Sequence, residues 1–117
     1  MSYKRKFTNI VLRKTIDELK KTKSPAWKRV AELLLRPSRK RIVVNVSKIN
    51  RYANEGDVIV VPGKVLGAGD LEKKVTVAAI SFSYTALEKI TQAGGRAIHI
   101  YELVKENREG KGIKIIT

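Results

Sequence analysis

The residues of this chain whose types and positions most clearly indicate a chemical role are basic, and most of them lie in its first half. Residues 1–52 contain sixteen Lys or Arg and three acids, a net charge of +13, whereas residues 53–117 contain nine Lys or Arg and eight acids, a net charge of +1. The two sums give the +14 of the whole chain. Such concentrated self-repulsion indicates a polyanionic partner, and the scatter of basic residues over turns and strand ends favours a phosphate backbone over a membrane surface.

The candidate nucleic-acid contacts share a positive charge and a position at or before the first glycine-rich stretch. They are Lys4, Arg5, Lys6, Arg13, Lys14, Lys20, Lys21, Lys23, Lys28, Arg29, Arg36, Arg39, Lys40, Arg41, Lys48, Arg51 and Lys64. Four of them, Arg36 and Arg39–Arg41, cluster across a Pro-Ser turn with no acid nearby in sequence. This cluster favours phosphate binding over a merely solvated run of charge.

Other members of the set have an equally good structural explanation. The basic residues of the first helix interleave with Asp17 and Glu18 at helical spacing, so ion pairs along the helix could account for them, and Lys28 stands four residues before Glu32 in the same way. Lys4–Lys6 lies between Tyr3 and Phe7, which suits either an arm that orders on nucleic acid or a frayed terminus. Whether the polymer is RNA or DNA does not follow from these residues.

The residues give little support to an enzyme. His99 is the single histidine and there is no cysteine, so a metal site or a thiol nucleophile has no partner residues, and His99 in an apolar segment is expected to be half-buried and structural. Gly67 and Gly69 form a G-x-G without the third glycine of a dinucleotide fingerprint. We therefore expect no catalytic residue, metal, cofactor or small-molecule substrate, and a general base at His99 is the weakest of the functional alternatives.

The elements that must position these residues form one α/β domain over residues 1–117. A basic helical part occupies about residues 1–41 and a strand-rich core about residues 42–117. Apolar periodicity and caps predict helices at 9–22, from Pro25 to Arg36 before Pro37, at 47–52, from Ser83 to Gly94, and at 102–107. Short apolar runs predict strands at 42–46, 58–61, 64–66, 75–80, 97–100 and 113–116.

Several local predictions can be checked directly. The strands lack clean alternation of apolar and polar residues, so both of their faces are expected to be covered. Ser24 and Ser83 are predicted helix N-caps, with Thr85 and Glu88 as a rival capping box at the second site, and Ser47 is predicted to cap the helical turn. Three further predictions are that Trp27 lies in the core, that Ala86, Leu87 and Ile90 face inward, and that Gly94 ends its helix in a left-handed conformation. No run of apolar residues is long enough to span a membrane.

The segment Lys64–Leu71, followed by Val75-Thr76-Val77 and by the spacing Ser83-x-x-Ala86-x-x-x-Ile90-x-x-x-Gly94, resembles a shared signature. It is similar to that of the archaeal large-subunit ribosomal protein eighteen-e family, which is related to bacterial large-subunit ribosomal protein fifteen. The Pro37-Ser38-Arg39 turn and the stretch Asn45–Ile49 extend the resemblance over nearly the whole chain.

The resemblance implies a structural constituent of the large ribosomal subunit in the cytoplasm. It also implies binding to large-subunit ribosomal RNA beside neighbouring ribosomal proteins, and an irregular superhelix of strand-strand-helix units. Because the signature residues mostly specify the fold, the basic first half is expected to supply the RNA contacts. The alternative is a protein that binds nucleic acid without specificity.

Overall fold

The computed structural model describes the backbone of residues 2–117 and the side chains of residues 11–37 and 39–117. The helices are α1 (Ser2–Lys21), α2 (Pro25–Leu34), α3 (Val46–Tyr52), α4 (Tyr84–Gln92) and α5 (Ile100–Glu106), with a 3-10 turn at Ser38–Lys40. The strands are β1 (Ile42–Asn45), β2 (Val58–Val60), β3 (Gly63–Leu66), β4 (Thr76–Ala79), β5 (Ser81–Phe82), β6 (Arg96–His99) and β7 (Ile113–Ile115).

The strands form two fully parallel sheets. The three-stranded sheet has the order β1-β3-β5 and the four-stranded sheet the order β6-β4-β2-β7. The chain passes from the larger sheet to the smaller one twice, from β2 to β3 and from β4 to β5, after connections of two residues and one residue. The strands of the second pass pair in parallel with those of the first, β4 with β2 and β5 with β3. This arrangement confirms the α/β superhelix that the resemblance predicts.

Two apolar clusters lie on opposite faces of the four-stranded sheet. Ile59 and Val77 belong to the cluster between the sheets, whereas Val60 and Ala78 belong to the cluster under α1, α2 and α5. Adjacent strand residues therefore point into different cores, as expected for a parallel sheet covered on both sides.

The three-stranded sheet does not follow this prediction. In β1 and in β3 buried residues alternate with exposed ones, and Val43 and Lys64 face outward. The prediction of two covered faces is thus wrong for this sheet, because Val43 and Lys64 remain exposed on its outward side. The outward face is left open to a partner.

The helical pair that carries most of the charge is held by local signals and by burial. The hydroxyl of Ser24 accepts a hydrogen bond from the backbone N–H of Trp27, which confirms the predicted cap, and Pro25 occupies the first turn. Trp27 is fully buried, as predicted, and Leu12, Ile16 and Leu19 of α1 line the same core. The helix α1 begins at Ser2 rather than at residue 9, and α2 ends at Leu34 rather than at Arg36.

The later helices confirm some predicted details and correct others. Ser83 caps α4 by accepting a hydrogen bond from the N–H of Ala86, so the rival box at Thr85 is wrong, and Gly94 has the expected positive φ of 83°. Leu87 is exposed rather than inward. The helix α3 begins at Val46, so its N-cap position is Asn45, two residues before the predicted cap Ser47. Among the described residues no helix is long and apolar enough to cross a membrane.

Candidate nucleic-acid interface

The basic cluster at the end of the helical pair is fully presented to solvent. The backbone N–H of Lys40 donates to the carbonyl oxygen of Pro37 at 2.8 Å and closes the 3-10 turn that carries the cluster. Arg36, Arg39, Lys40 and Arg41 are all exposed. None of them forms an ion pair with an acidic side chain of the described residues. Their charges are therefore available to an external anion.

Strand pairing brings Lys64 to this cluster. The parallel register of β1 and β3 places Lys64 opposite Val43, two residues after Arg41. Arg41 and Lys64 both line a cavity of about 240 Å³ where the end of α2 meets the first residues of β1 and β3, which we call the sheet groove. Its other walls come from Leu34, Ile42, Val43, Gly63, Ile80 and Ser81. Two members of the candidate set that are distant in sequence thus meet at one site.

The basic residues of α1 do not form the ion pairs that their spacing suggested. Arg13, Lys14, Lys20 and Lys21 are exposed, and none of the four pairs with an acid among the side chains that the structure describes. Glu18 instead contacts the guanidinium of Arg108 at 3.5 Å. The explanation by ion pairs along the helix is wrong for this stretch, because Glu18 faces α5 and the loop that follows it, and the exposed Asp17 forms no ion pair with a described side chain.

In α2 the acid pairs with a different partner from the one expected. Glu32 contacts Arg29 at 3.1 Å, with both side chains more than half exposed, and Lys28 remains exposed without an acidic partner in the described residues. An exposed pair of this kind contributes little to stability. It leaves Arg29 able to exchange the carboxylate for a phosphate.

A second basic cleft lies where α1 meets α2. Its cavity of about 520 Å³ is lined by Lys21 and Lys23 of the candidate set and by Arg108 and Lys111, which the sequence pattern did not indicate. Glu109 lines it as well and contacts Lys111 at 3.3 Å. Asn107 holds the loop that carries them, since its side chain donates to the carbonyl oxygen of Lys111 and accepts from the N–H of the same residue. The sequence gives only a weak signal for these two residues, because Arg108 stands next to the acidic Glu109, Lys111 lies between two glycines, and the second half has nearly balanced charge.

The remaining members of the set lie elsewhere or outside the described side chains. Lys48 and Arg51 are exposed on α3, and the Lys48 ammonium donates to the carbonyl oxygen of Thr117 at 2.5 Å. The structure therefore does not bring them to the sheet groove. Lys4–Lys6 belongs to the helical backbone of α1, and the prediction for its side chains falls outside the described residues.

Several lysines of the second half are used within the fold, as Lys48 is in the first half. The Lys73 ammonium donates to the carbonyl oxygens of Asn50 and Ala53, at 2.7 and 2.6 Å. That of Lys89 donates to two carbonyls of the Gly67–Gly69 loop, and Lys114 contacts Asp57 at 3.0 Å. These cations satisfy backbone acceptors and close loops, so their charge is already partnered.

His99 has a structural role, as predicted. Its Nδ1 accepts a hydrogen bond of 3.0 Å from the N–H of Tyr101 and caps α5. Burial lowers the pKa of His99 below the usual 6.5, while the nearby Glu102 opposes this shift. The imidazole is thus held neutral as an acceptor. Within the described part of the chain no group of His, Cys, Asp and Glu residues could hold a metal ion.

Comparison with known proteins identifies the scaffold that presents these charges. Residues 27–98 match the model of the family that comprises ribosomal proteins 50S-L15 and 50S-L18e and their 60S counterpart. The chain belongs to this family. The match runs from Trp27 in α2 to Ile98 in β6, and so includes the basic turn, the sheet groove and the Gly67–Gly69 loop.

Individual relatives agree over nearly the full length. The chain is 51% identical to the large ribosomal subunit protein eL18 of Sulfurisphaera tokodaii over 93% of this chain and 92% of the relative. It is 52% identical to eL18 of Sulfolobus acidocaldarius, over 90% and 89%, and 51% identical to eL18 of Methanococcus maripaludis, over 91% and 88%. The resemblance predicted from the sequence is confirmed, and family membership indicates a structural role in the ribosome rather than an enzymatic one.

Proposed function

We propose that this protein binds large-subunit ribosomal RNA through its basic first half, as a structural constituent of the large ribosomal subunit in the cytoplasm. Neighbouring ribosomal proteins of the large subunit are its further partners. The proposal rests on the family and on the distribution of unpartnered charge.

The observation that carries the proposal is the exposed, unpaired state of Arg36 and Arg39–Arg41, with Lys64 placed beside them by strand pairing. Each such side chain can neutralise one phosphate and release a bound counterion, which makes RNA binding favourable and dependent on salt. Arginine presents a planar fork that matches a phosphate, so this cluster also fixes orientation.

The contrast between the two halves supports the same assignment. Cations such as Lys73 and Lys89 satisfy carbonyl groups of the fold, whereas those on α1, α2 and the 3-10 turn extend into solvent. If both halves bound RNA equally, we would expect cations without a partner in the fold to be equally common in both halves. The first half is therefore the RNA-facing side and the second half mainly the scaffold.

The test is incorporation into the subunit. Large subunits are assembled with the protein carrying Arg39→Glu, Lys40→Glu and Arg41→Glu, and are separated on a density gradient. We expect the variant to leave the large-subunit fraction at salt concentrations that retain the unmodified protein. Matched substitutions at Lys74, Arg96 and Lys105, which are exposed in the second half, should have little effect.

Two results would contradict the proposal. One is normal retention of the triple variant in subunits washed with increasing salt. The other is equal affinity of the unmodified protein for duplex DNA and for folded large-subunit RNA, without co-sedimentation with ribosomes. The second result would favour nonspecific nucleic-acid binding instead.

A further inference from the structure

The sheet groove combines an apolar floor with a cationic rim. Its apolar walls are Leu34 and Ile42, which are buried, together with Ile80 and the 55% exposed Val43. Arg41 and Lys64 line the same cavity, and no acidic residue lines it. An exposed β-branched side chain on an open sheet face has unsatisfied apolar surface, so a partner that covers Val43 gains free energy.

Three outward side chains cross the sheet in one row beside this cavity. The register places Val43 of β1 next to Lys64 of β3, and Lys64 next to Ser81 of β5. All three are exposed. The row therefore offers an apolar contact, a cation and a hydroxyl that can donate or accept, within neighbouring strands.

We infer that the sheet groove holds the base of one unpaired nucleotide of the bound RNA. This inference rests on the proposed function and adds to it a specific mode of contact. The base covers Val43 and Ile80, the guanidinium of Arg41 stacks on it or contacts its phosphate, and Lys64 contacts the adjoining phosphate. Unstacked bases in RNA loops are recognised by this combination of an apolar or planar surface with nearby cations.

Charge complementarity and size favour a nucleotide over a protein segment. The rim is cationic, and it continues into Arg39 and Lys40 of the 3-10 turn, so a phosphate chain can follow it. The volume of about 240 Å³ lies below the roughly 300–1,000 Å³ typical of sites for drug-sized ligands. A single planar base suits this volume, and a packed helix of a neighbouring protein would need a longer groove.

The test uses two RNA probes, a short single-stranded adenosine oligonucleotide and a fully paired RNA duplex of the same length. Val43→Ser removes apolar surface without changing charge, and Lys64→Gln removes one charge. We expect Val43→Ser to weaken binding of the single strand by roughly fivefold or more. Fivefold is roughly the lower end of the loss in affinity that is typical when one base loses its stacking surface. Its salt dependence should stay unchanged, and its affinity for the duplex should also stay unchanged because duplex bases are not free to enter the groove.

Lys64→Gln should instead lower the log–log salt slope for the single strand by about 0.7. Leu87→Ser is the control, since Leu87 is an exposed apolar residue on α4 outside the groove. Thermal unfolding of each variant confirms that it folds.

Unchanged affinity of Val43→Ser for the single strand would overturn the inference and leave a segment of a neighbouring protein as the occupant. An equal loss for strand and duplex would overturn it as well, because the effect would not depend on an unpaired base. Failure of the unmodified protein to bind either RNA in a salt-dependent way would instead refute the proposed function itself.

Discussion

The indole Nε1 of Trp27 donates a hydrogen bond of 2.7 Å to the backbone carbonyl oxygen of Asn107, a residue 80 positions later in the chain. Trp27 is fully buried in α2, and Asn107 begins the loop that carries Arg108 and Lys111. Gly110 of the same loop approaches so closely that a Cβ there would lie 3.3 Å from the indole ring. One buried side chain thus fixes the last basic loop against the basic helical pair.

Replacing Trp27 by Phe tests this anchor. The change keeps an aromatic ring but removes the donor and leaves the carbonyl of Asn107 without its partner. We expect a loss of about 1–3 kcal/mol in the free energy of unfolding, together with faster amide exchange at Lys111. Tyr84→Phe, at an exposed aromatic residue, is the control and should change neither quantity.

Stability should fall as the pH drops through the range in which His99 titrates. Its pKa in the folded protein is below 6.5 because burial disfavours the imidazolium, so the unfolded chain takes up the proton first. The contribution is therefore complete above about pH 6.5 and is lost as the pH decreases below that value. Urea unfolding midpoints at a series of pH values between about 5 and 8 measure the effect.

His99→Asn is the control for that experiment. Asparagine can accept the capping hydrogen bond from the N–H of Tyr101 but does not titrate in this range. The variant should lose most of the slope between pH 5 and 7. An identical slope in both proteins would assign the pH dependence to other groups.

Removing the Ser83 hydroxyl should destabilise α4. Ser83→Ala deprives the N–H of Ala86 of its 3.1 Å acceptor and is expected to cost about 1 kcal/mol in the free energy of unfolding. Thr85→Ala should cost much less, because the Thr85 hydroxyl does not cap the helix. A larger loss for Thr85→Ala than for Ser83→Ala would show that the cap is wrongly assigned.

Gly69 and Gly56 have the same backbone conformation but different surroundings, so a comparison of the two tests how closely the Gly67–Gly69 loop packs on α3. Their φ angles are 86° and 87°, so alanine adds a similar backbone strain of roughly 1–2 kcal/mol at both. A Cβ at Gly69 would also collide with the side chain of Ser47 on α3, whereas one at Gly56 meets no atom within 4 Å. Gly69→Ala should therefore lower the melting temperature clearly more than Gly56→Ala, and equal shifts would contradict the close packing of loop and helix.

Local signals in the sequence predicted most of the elements. Ser24-Pro25 and Ser83 define helix starts because a cap depends on a few adjacent residues. The apolar runs predict Val46 and Ile100 as the last residues of strands, whereas both fully buried residues begin helices. Burial in the tertiary structure outweighs the intrinsic preference of these β-branched residues for strands, and no local sequence pattern predicts this outcome.

The candidate interface was predictable in composition but not in arrangement. The excess of Lys and Arg in the first half, and the acid-free turn at Arg39–Arg41, are visible in the sequence. That Lys64 lies beside Arg41 depends on the register of β1 with β3, and that Arg108 faces Glu18 depends on how the last loop packs. Both relationships come from long-range pairing, which spacing along the chain does not encode.

The most direct measurement of the central claim is the salt dependence of binding to large-subunit ribosomal RNA. Log affinity is plotted against log salt for the unmodified protein, for Arg39→Gln/Lys40→Gln/Arg41→Gln, and for Lys74→Gln/Arg96→Gln/Lys105→Gln. Loss of three phosphate contacts should reduce the slope of the first variant by roughly 2–3 and leave that of the second nearly unchanged. Equal slopes for all three proteins would contradict the assignment of RNA binding to the basic first half.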